Sequence, residues 1–234
     1  MNEIKTPFLT IKNLTAWYNP ERKILYDFSL KIMEHETVGL VGLNGAGKTT
    51  FFKILSGLLS SFYADDILLN GHPAKFREKA FKTCRYVVFA EDNSFQYFTF
   101  REYFAYVCAA YRQKPPDTAA LIQGFHFEKY KDVLLKDLST GNKKKAFLIT
   151  AFALQPRLLL LDEPVNGLDF QSTEFLYQLI AGYKMYGTVL FSSHILESVT
   201  LTADRILVLE DGRIRQTFTG DKASPADIRE ALSL

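Results

Sequence analysis

"GLVGLNGAGKTTFFKIL", residues 39–55, decides the fold. It runs from an apolar strand through Gly42-Leu-Asn-Gly-Ala-Gly47-Lys48-Thr49 into a helix, which is G-x-x-x-x-G-K-[ST] in the setting that gives the pattern its meaning. Glycines let successive backbone N–H groups curl around phosphate oxygens, and the helix N-terminus adds positive potential. Lys48 is placed to reach the β and γ phosphates, and the Thr49 hydroxyl is placed for Mg²⁺. The competing reading, a glycine-rich turn that only caps a helix, loses force once a strand and a helix flank it. The chain is expected to bind a nucleotide.

Outward from this loop, short apolar runs recur: "FLTI", "DILLN", "RYVVFA", "RLLLLD", "GTVLFSS" and "RILVLEDG". They read as strands. The clearest helix starts at Thr99, with Glu102 completing a capping box and a stripe at Phe100, Tyr103, Phe104, Val107, Cys108 and Tyr111. Residues 8–40 look hairpin-like, residues 99 to about 150 look wholly helical, and strand–helix alternation returns from 156. Pro115 and Pro116 divide the helical stretch, and the last fifteen residues read as a surface helix and tail. The expectation is a split α/β core with a helical insert.

Composition excludes more than it names. Twenty-eight Lys and Arg against 26 Asp and Glu leave a net charge of +2, too balanced to argue for nucleic acid or an anionic lipid surface. Cys84 and Cys108 have neither disulfide-framework nor zinc spacing, which suits a reducing cytosol. The apolar stretch "AFLITAFALQPRLLLLDEP" is interrupted by Gln155, Pro156 and Arg157 well short of a membrane span. Any membrane role is expected to come through a partner.

"RLLLLDEPVNGLD" ends a strand on Asp162 and Glu163 before Pro164 stops regular structure. Open α/β sheets bind ligands at the carboxyl ends of strands. There Asp162 is suited to the Mg²⁺ shell and Glu163 to taking a proton from an attacking water. Two solvated acids in a turn would be the alternative for this pair alone. A further strand, "TVLFSS", ends on His194, which alone reads as an ordinary histidine.

Taken in order, these residues resemble the ATP-binding cassette (ABC) ATPases over nearly the whole chain. The resemblance implies a P-loop NTPase core with a mixed, mostly parallel sheet, an antiparallel β subdomain and a helical insert. As one domain over residues 1–234, the core would take 8–90 and 155–215, the helical part 92–150 and a tail 216–234. Tyr18 matches the adenine-stacking aromatic, although an aromatic beside Trp17 is more often packing. "GLNGAGKTT" matches Walker A, which carries over Asn44, Gly45, Ala46, Gly47, Lys48, Thr49 and Thr50 as nucleotide-binding residues. "LLLLDEP" matches Walker B with Glu163 catalytic, "NGLD" the D-loop ending at Asp169, and "SSH" the switch histidine His194.

The signature LSGGQ appears as "LSTGN", so Ser139, Gly141 and Asn142 carry over while Thr140 and Asn142 depart from the pattern. After "RYVVFA" the usual glutamine is missing, and Glu91 is the nearest candidate for the metal shell, or else a polar loop residue. Lys143, Lys144 and Lys145 follow the signature at a helix start, where the macrodipole disfavours cations. They read as positive potential behind a phosphate site, or as a solvated face.

The resemblance further implies ATP and Mg²⁺, and a head-to-tail dimer, homomeric or with another ABC subunit. A separate permease would dock near Phe95, Tyr97 and Phe98, which stand in a loop where aromatics are costly unless covered. The chain would then sit on the cytoplasmic face of the membrane, bound through that permease, and looks more like exporters of the ABC-2 type. A cassette ATPase that moves no solute, and a pseudo-ATPase that only signals, stay open as alternatives.

Overall fold

The structure is a computed structural model and describes residues 6–219 and 223–232. In chain order it has β1 (Leu9–Asn19), β2 (Arg22–Ile32), β3 (Thr37–Val41), α1 (Lys48–Ser56), β4 (Phe62–Tyr63), β5 (Asp66–Leu69) and β6 (His72–Pro73). Next come α2 (Lys79–Cys84), β7 (Arg85–Val88), α3 (Phe100–Ala110), α4 (Ala119–Gly124), α5 (Thr140–Leu154), β8 (Leu158–Leu161) and α6 (Phe170–Gly182). The chain then forms β9 (Thr188–Ser193), α7 (Leu196–Thr202), β10 (Arg205–Glu210), β11 (Arg213–Thr219) and α8 (Pro225–Ala231).

Among the described residues, a six-stranded sheet runs β11-β10-β3-β9-β8-β7. Its strands are parallel except for β11, which returns antiparallel to β10. Every residue of β3, β8 and β9 is buried, as expected of strands covered on both faces. The second sheet is antiparallel, with β1 paired to β2 on one side and to β5 on the other. In β2 burial alternates from Phe28 through Leu30 to Ile32, so one face is wet and the other packed.

The six-stranded sheet divides the interior in two. Leu158, Leu160 and Leu190 point into a core shared with Phe28, Phe51 and Phe81, under the antiparallel sheet and α1. Leu159, Leu161 and Phe191 point the other way, into a core built with Phe104, Phe147, Leu176 and Ile228 of the helices. Successive residues of a strand face opposite sides, so one run of four leucines serves both cores.

The helical stretch needs one correction. The Thr99 capping box is present and α3 carries the expected buried stripe, but only α3, α4 and α5 are regular helices between residues 99 and 154. Residues 113–118, which hold Pro115 and Pro116, have no regular structure, and most of 125–139 is turns, bends and isolated 3-10 turns. Thr99 even forms a lone β-bridge to Leu134. The strand pair after His194 also runs further than the sequence suggests, to Thr219.

Candidate nucleotide site

The parallel register places the motifs side by side. Val88 pairs with Leu161, Leu161 with Phe191, and Val41 with Ser193, so β3, β7, β8 and β9 all end at one edge of the sheet. The residues just past that edge are the glycine loop, Glu91, Asp162 with Glu163, and His194.

In the loop between β3 and α1, Gly47 takes φ +109° at the N-cap, and a Cβ there would meet Leu25 Cδ2 at 2.6 Å. Only glycine suits both the backbone angle and the contact. The cap makes no side-chain hydrogen bond and the first turn of α1 holds no acid, so its positive end is not neutralised locally. Lys48, 6% exposed, donates from Nζ to Gly42 O at 2.7 Å and Leu43 O at 3.3 Å. Its ammonium therefore stands inside the loop.

Asp162 is fully buried and accepts from Thr49 Oγ1 at 2.8 Å and from Ser192 Oγ at 2.7 Å. A threonine hydroxyl beside a carboxylate is a hard-oxygen pair of the kind Mg²⁺ selects. Among the described residues no three His, Cys, Asp or Glu side chains gather into a metal cage. Glu163 adopts φ +47°, a left-handed conformation uncommon for a residue with a side chain. Its Oε1 lies 3.5 Å from Lys48 Nζ and its Oε2 2.8 Å from His194 Nδ1. Gly42, Asn44, Glu163 and His194 wall one cavity of about 440 Å³.

Sequence reading missed Ser192, which accepts from the Glu163 N–H at 2.9 Å while donating to Asp162. The "SSH" run carries it, but a small polar residue in a buried strand gives no warning of its cross-strand partner.

The signature-position residues lie elsewhere. Ser139 caps α5, its Oγ accepting from Asn142 N at 3.2 Å. A Cβ on Gly141 would sit 2.1 Å from Gly167 O, so the start of α5 lies hard against the turn before α6. Asp169 caps α6 through Ser172 N at 2.9 Å and pairs with Lys145 Nζ at 2.5 Å. The hydrogen bond from Lys145, with those from Ser172, holds the Asp169 carboxyl well below the usual carboxylate range. Ser139, Gly141, Asn142 and Asp169 do not wall the cavity that holds Glu163 and His194.

The lysine run is corrected. Lys144 and Lys145 are 3% and 5% exposed and form no solvated face. From Lys144 through Phe152 every residue of α5 is buried, so this helix is enclosed on all sides and its lysines must find internal partners.

Tyr18 stands at the end of β1, 55% exposed, with Lys53 Nζ 5.6 Å from its ring centroid and its hydroxyl accepting from Thr50 Oγ1 at 3.5 Å. An exposed ring beside the first turns of α1 is available for stacking. Glu91 is exposed and shares a cavity of about 650 Å³ with Thr49, Lys53 and Asp162. The aromatic loop is also corrected. Phe95 is half-buried against Phe98, Tyr103 and Tyr106, with ring centroids 5.1–5.5 Å apart, and Phe98 is half-buried with it. Only Tyr97 of the three remains open, at 74%.

Comparison with known proteins agrees with this geometry. The family described as "ABC transporter" matches residues 25–166. The ABC transporter ATP-binding protein AlbC of Bacillus subtilis (strain 168) is 34% identical over 218 residues, covering 90% of this chain and 91% of that protein. The energy-coupling factor transporter ATP-binding protein EcfA2 of Thermotoga maritima is 32% identical over 211 residues, covering 86% of this chain and 77% of that protein. A solved structure described as the ATP binding subunit of an ABC transporter superposes with a TM-score of 0.86 at 25% identity, over 97% of this chain and all of the other. A phosphate loop, paired carboxylates and a histidine at one sheet edge, together with these matches, make this chain a member of the ABC transporter ATP-binding family, an ATPase subunit of a transporter.

Proposed function

We propose that two copies of this chain, or this chain and a related subunit, close head to tail around ATP, and that closure and reopening work a separate membrane permease. The observation that carries this reading is the separation of Ser139, Gly141 and Asn142 from the cavity walled by Gly42, Glu163 and His194. In one chain the N–H groups at the start of α5 face no phosphate site of their own, and a second copy would bring them to one. Ser139 of the partner subunit would then meet the γ-phosphate.

In this arrangement the amides of the 42–47 loop and Lys48 hold the phosphates, and Tyr18 stacks on the adenine. Thr49 and Asp162, with Glu91 at the rim, would hold Mg²⁺, which when bound offsets phosphate charge. Glu163 takes the proton of the attacking water, while His194 on Oε2 fixes its carboxylate and leaves Oε1 toward the phosphate loop. Asp169 acts from the turn that packs on Gly141. Among the described residues no helix is long and apolar enough to cross a membrane, and by this reading the permease is a separate polypeptide. That permease would sit against the exposed Tyr97, with Phe95 and Phe98 as its packed footing, and hold the chain at the cytoplasmic face.

The test is purification of the tagged chain from native membranes. A stoichiometric membrane-spanning protein should come with it, and a Tyr97→Glu variant should recover less of it. Recovery of the chain alone, or only with non-membrane proteins, contradicts transport.

A further inference from the structure

We propose that Lys144 is a positioning residue for catalysis: its ammonium ties the segment that follows β7 to the backbone of Glu163 and so sets where the Glu163 carboxylate points. This rests on the reading of Glu163 as the base.

Lys144 Nζ donates to Phe89 O at 3.1 Å, Ala90 O at 2.6 Å and Glu163 O at 3.4 Å. One cation thus spans the ends of two neighbouring strands, β7 and β8, just where each chain leaves the sheet. Three donors meet three carbonyls, which uses the full capacity of an ammonium. Glu163 is the residue between these anchors that holds a left-handed φ. Its N–H is fixed by Ser192 Oγ and its carbonyl by Lys144, so the strained residue is pinned on both sides. With both peptide groups fixed, the side chain has little freedom except to run between Lys48 and His194.

Burial pulls the Lys144 ammonium down to about 8, and Asp162, Glu163, Asp92 and Glu91 each act against that shift. Lys144 also walls a cavity of about 200 Å³ with Ala90, Glu91, Asn93 and Thr140. The groove beside Glu91 and the base are therefore joined through one side chain, and a shift of residues 89–91 is transmitted to the Glu163 peptide. Positioning effects of this kind are large, because a misplacement near 1 Å can cost on the order of 10²-fold in rate.

Two variants, measured beside Glu163→Gln, decide the matter. Lys144→Met keeps the length and removes the charge and donors. It should lower kcat roughly 10- to 100-fold while KM and the affinity for a fluorescent ATP analogue change by less than about 3-fold. Lys144→Arg keeps charge and donors, with the adjacent cavity to receive the larger head, and should recover most of kcat. Unchanged kcat in Lys144→Met overturns the proposal, and so does loss of nucleotide affinity in step with kcat, or failure of Lys144→Arg to recover activity in a folded, ATP-binding protein. If Glu163→Gln turns over normally, the base assignment fails instead, whatever Lys144 does.

Discussion

At the scale of single residues, the site depends on where carboxylates find their hydrogen bonds. Asp162 is held by two hydroxyls on different elements, and Glu163 is held between a lysine and a histidine. If Glu163 is the base, Glu163→Gln keeps the shape and the contact to His194 but cannot accept the proton. Hydrolysis should then fall by about 10²-fold or more, with ATP affinity nearly unchanged; near-normal turnover in a phosphate-release assay would remove Glu163 from that role. Lys48, Asp162, Glu163 and His194 were legible because a loop or strand end fixes each one locally. Ser192 and Lys144 were not, because their partners are 19 to 55 residues away in sequence. No local pattern records that a lysine will meet three carbonyls. The aromatic loop is a related case: Phe95 and Phe98 pack on Tyr103 and Tyr106, in the first two turns of the helix that follows, and no local pattern in the loop records that contact.

At the scale of elements, α5 and α6 are fastened to one another at their starts. Gly141 allows the backbone of one to approach the turn before the other, and Lys145 pairs with the residue that caps α6. The Asp169 carboxyl is held below its ordinary value in the folded chain, so the pair contributes stability that is complete above the unfolded value near 3.9 and is lost as pH falls through the folded one. Asp169→Asn keeps a good cap but not the ion pair. Its urea midpoint should lie below that of the parent at pH 7, and the gap should close as pH falls below about 4; parallel curves down to pH 2 would show that the pair carries no such linkage. The capping box at Thr99 and the cap at Ser139 were readable because caps are local chemistry. That α5 is buried on every side was not, because its apolar run reads the same whether one face or all are covered.

At the scale of the whole molecule, strand order brings the site together. β3 lies between β9 and β10, so the loop after residue 41 meets chain that arrives more than a hundred residues later. The sheet faces two cores, and helices that share the second of them carry both the signature-position residues and the walls of the base's cavity. The class of fold followed from the recurrence of strands and from the loop at 42–49. The order of strands did not, since nothing local in a buried apolar run specifies its neighbour. What the fold leaves unjoined within one chain is the start of α5 and the phosphate loop, and the account places ATP between those two surfaces in a dimer. The most direct measurement is the mass of Glu163→Gln in solution by light scattering, with and without Mg·ATP. The account predicts a change from the mass of one chain to that of two on adding ATP, abolished by Ser139→Arg in the same background while ATP still binds. A mass that stays at one chain with ATP bound, or a dimer that forms equally well with Ser139→Arg, would contradict it.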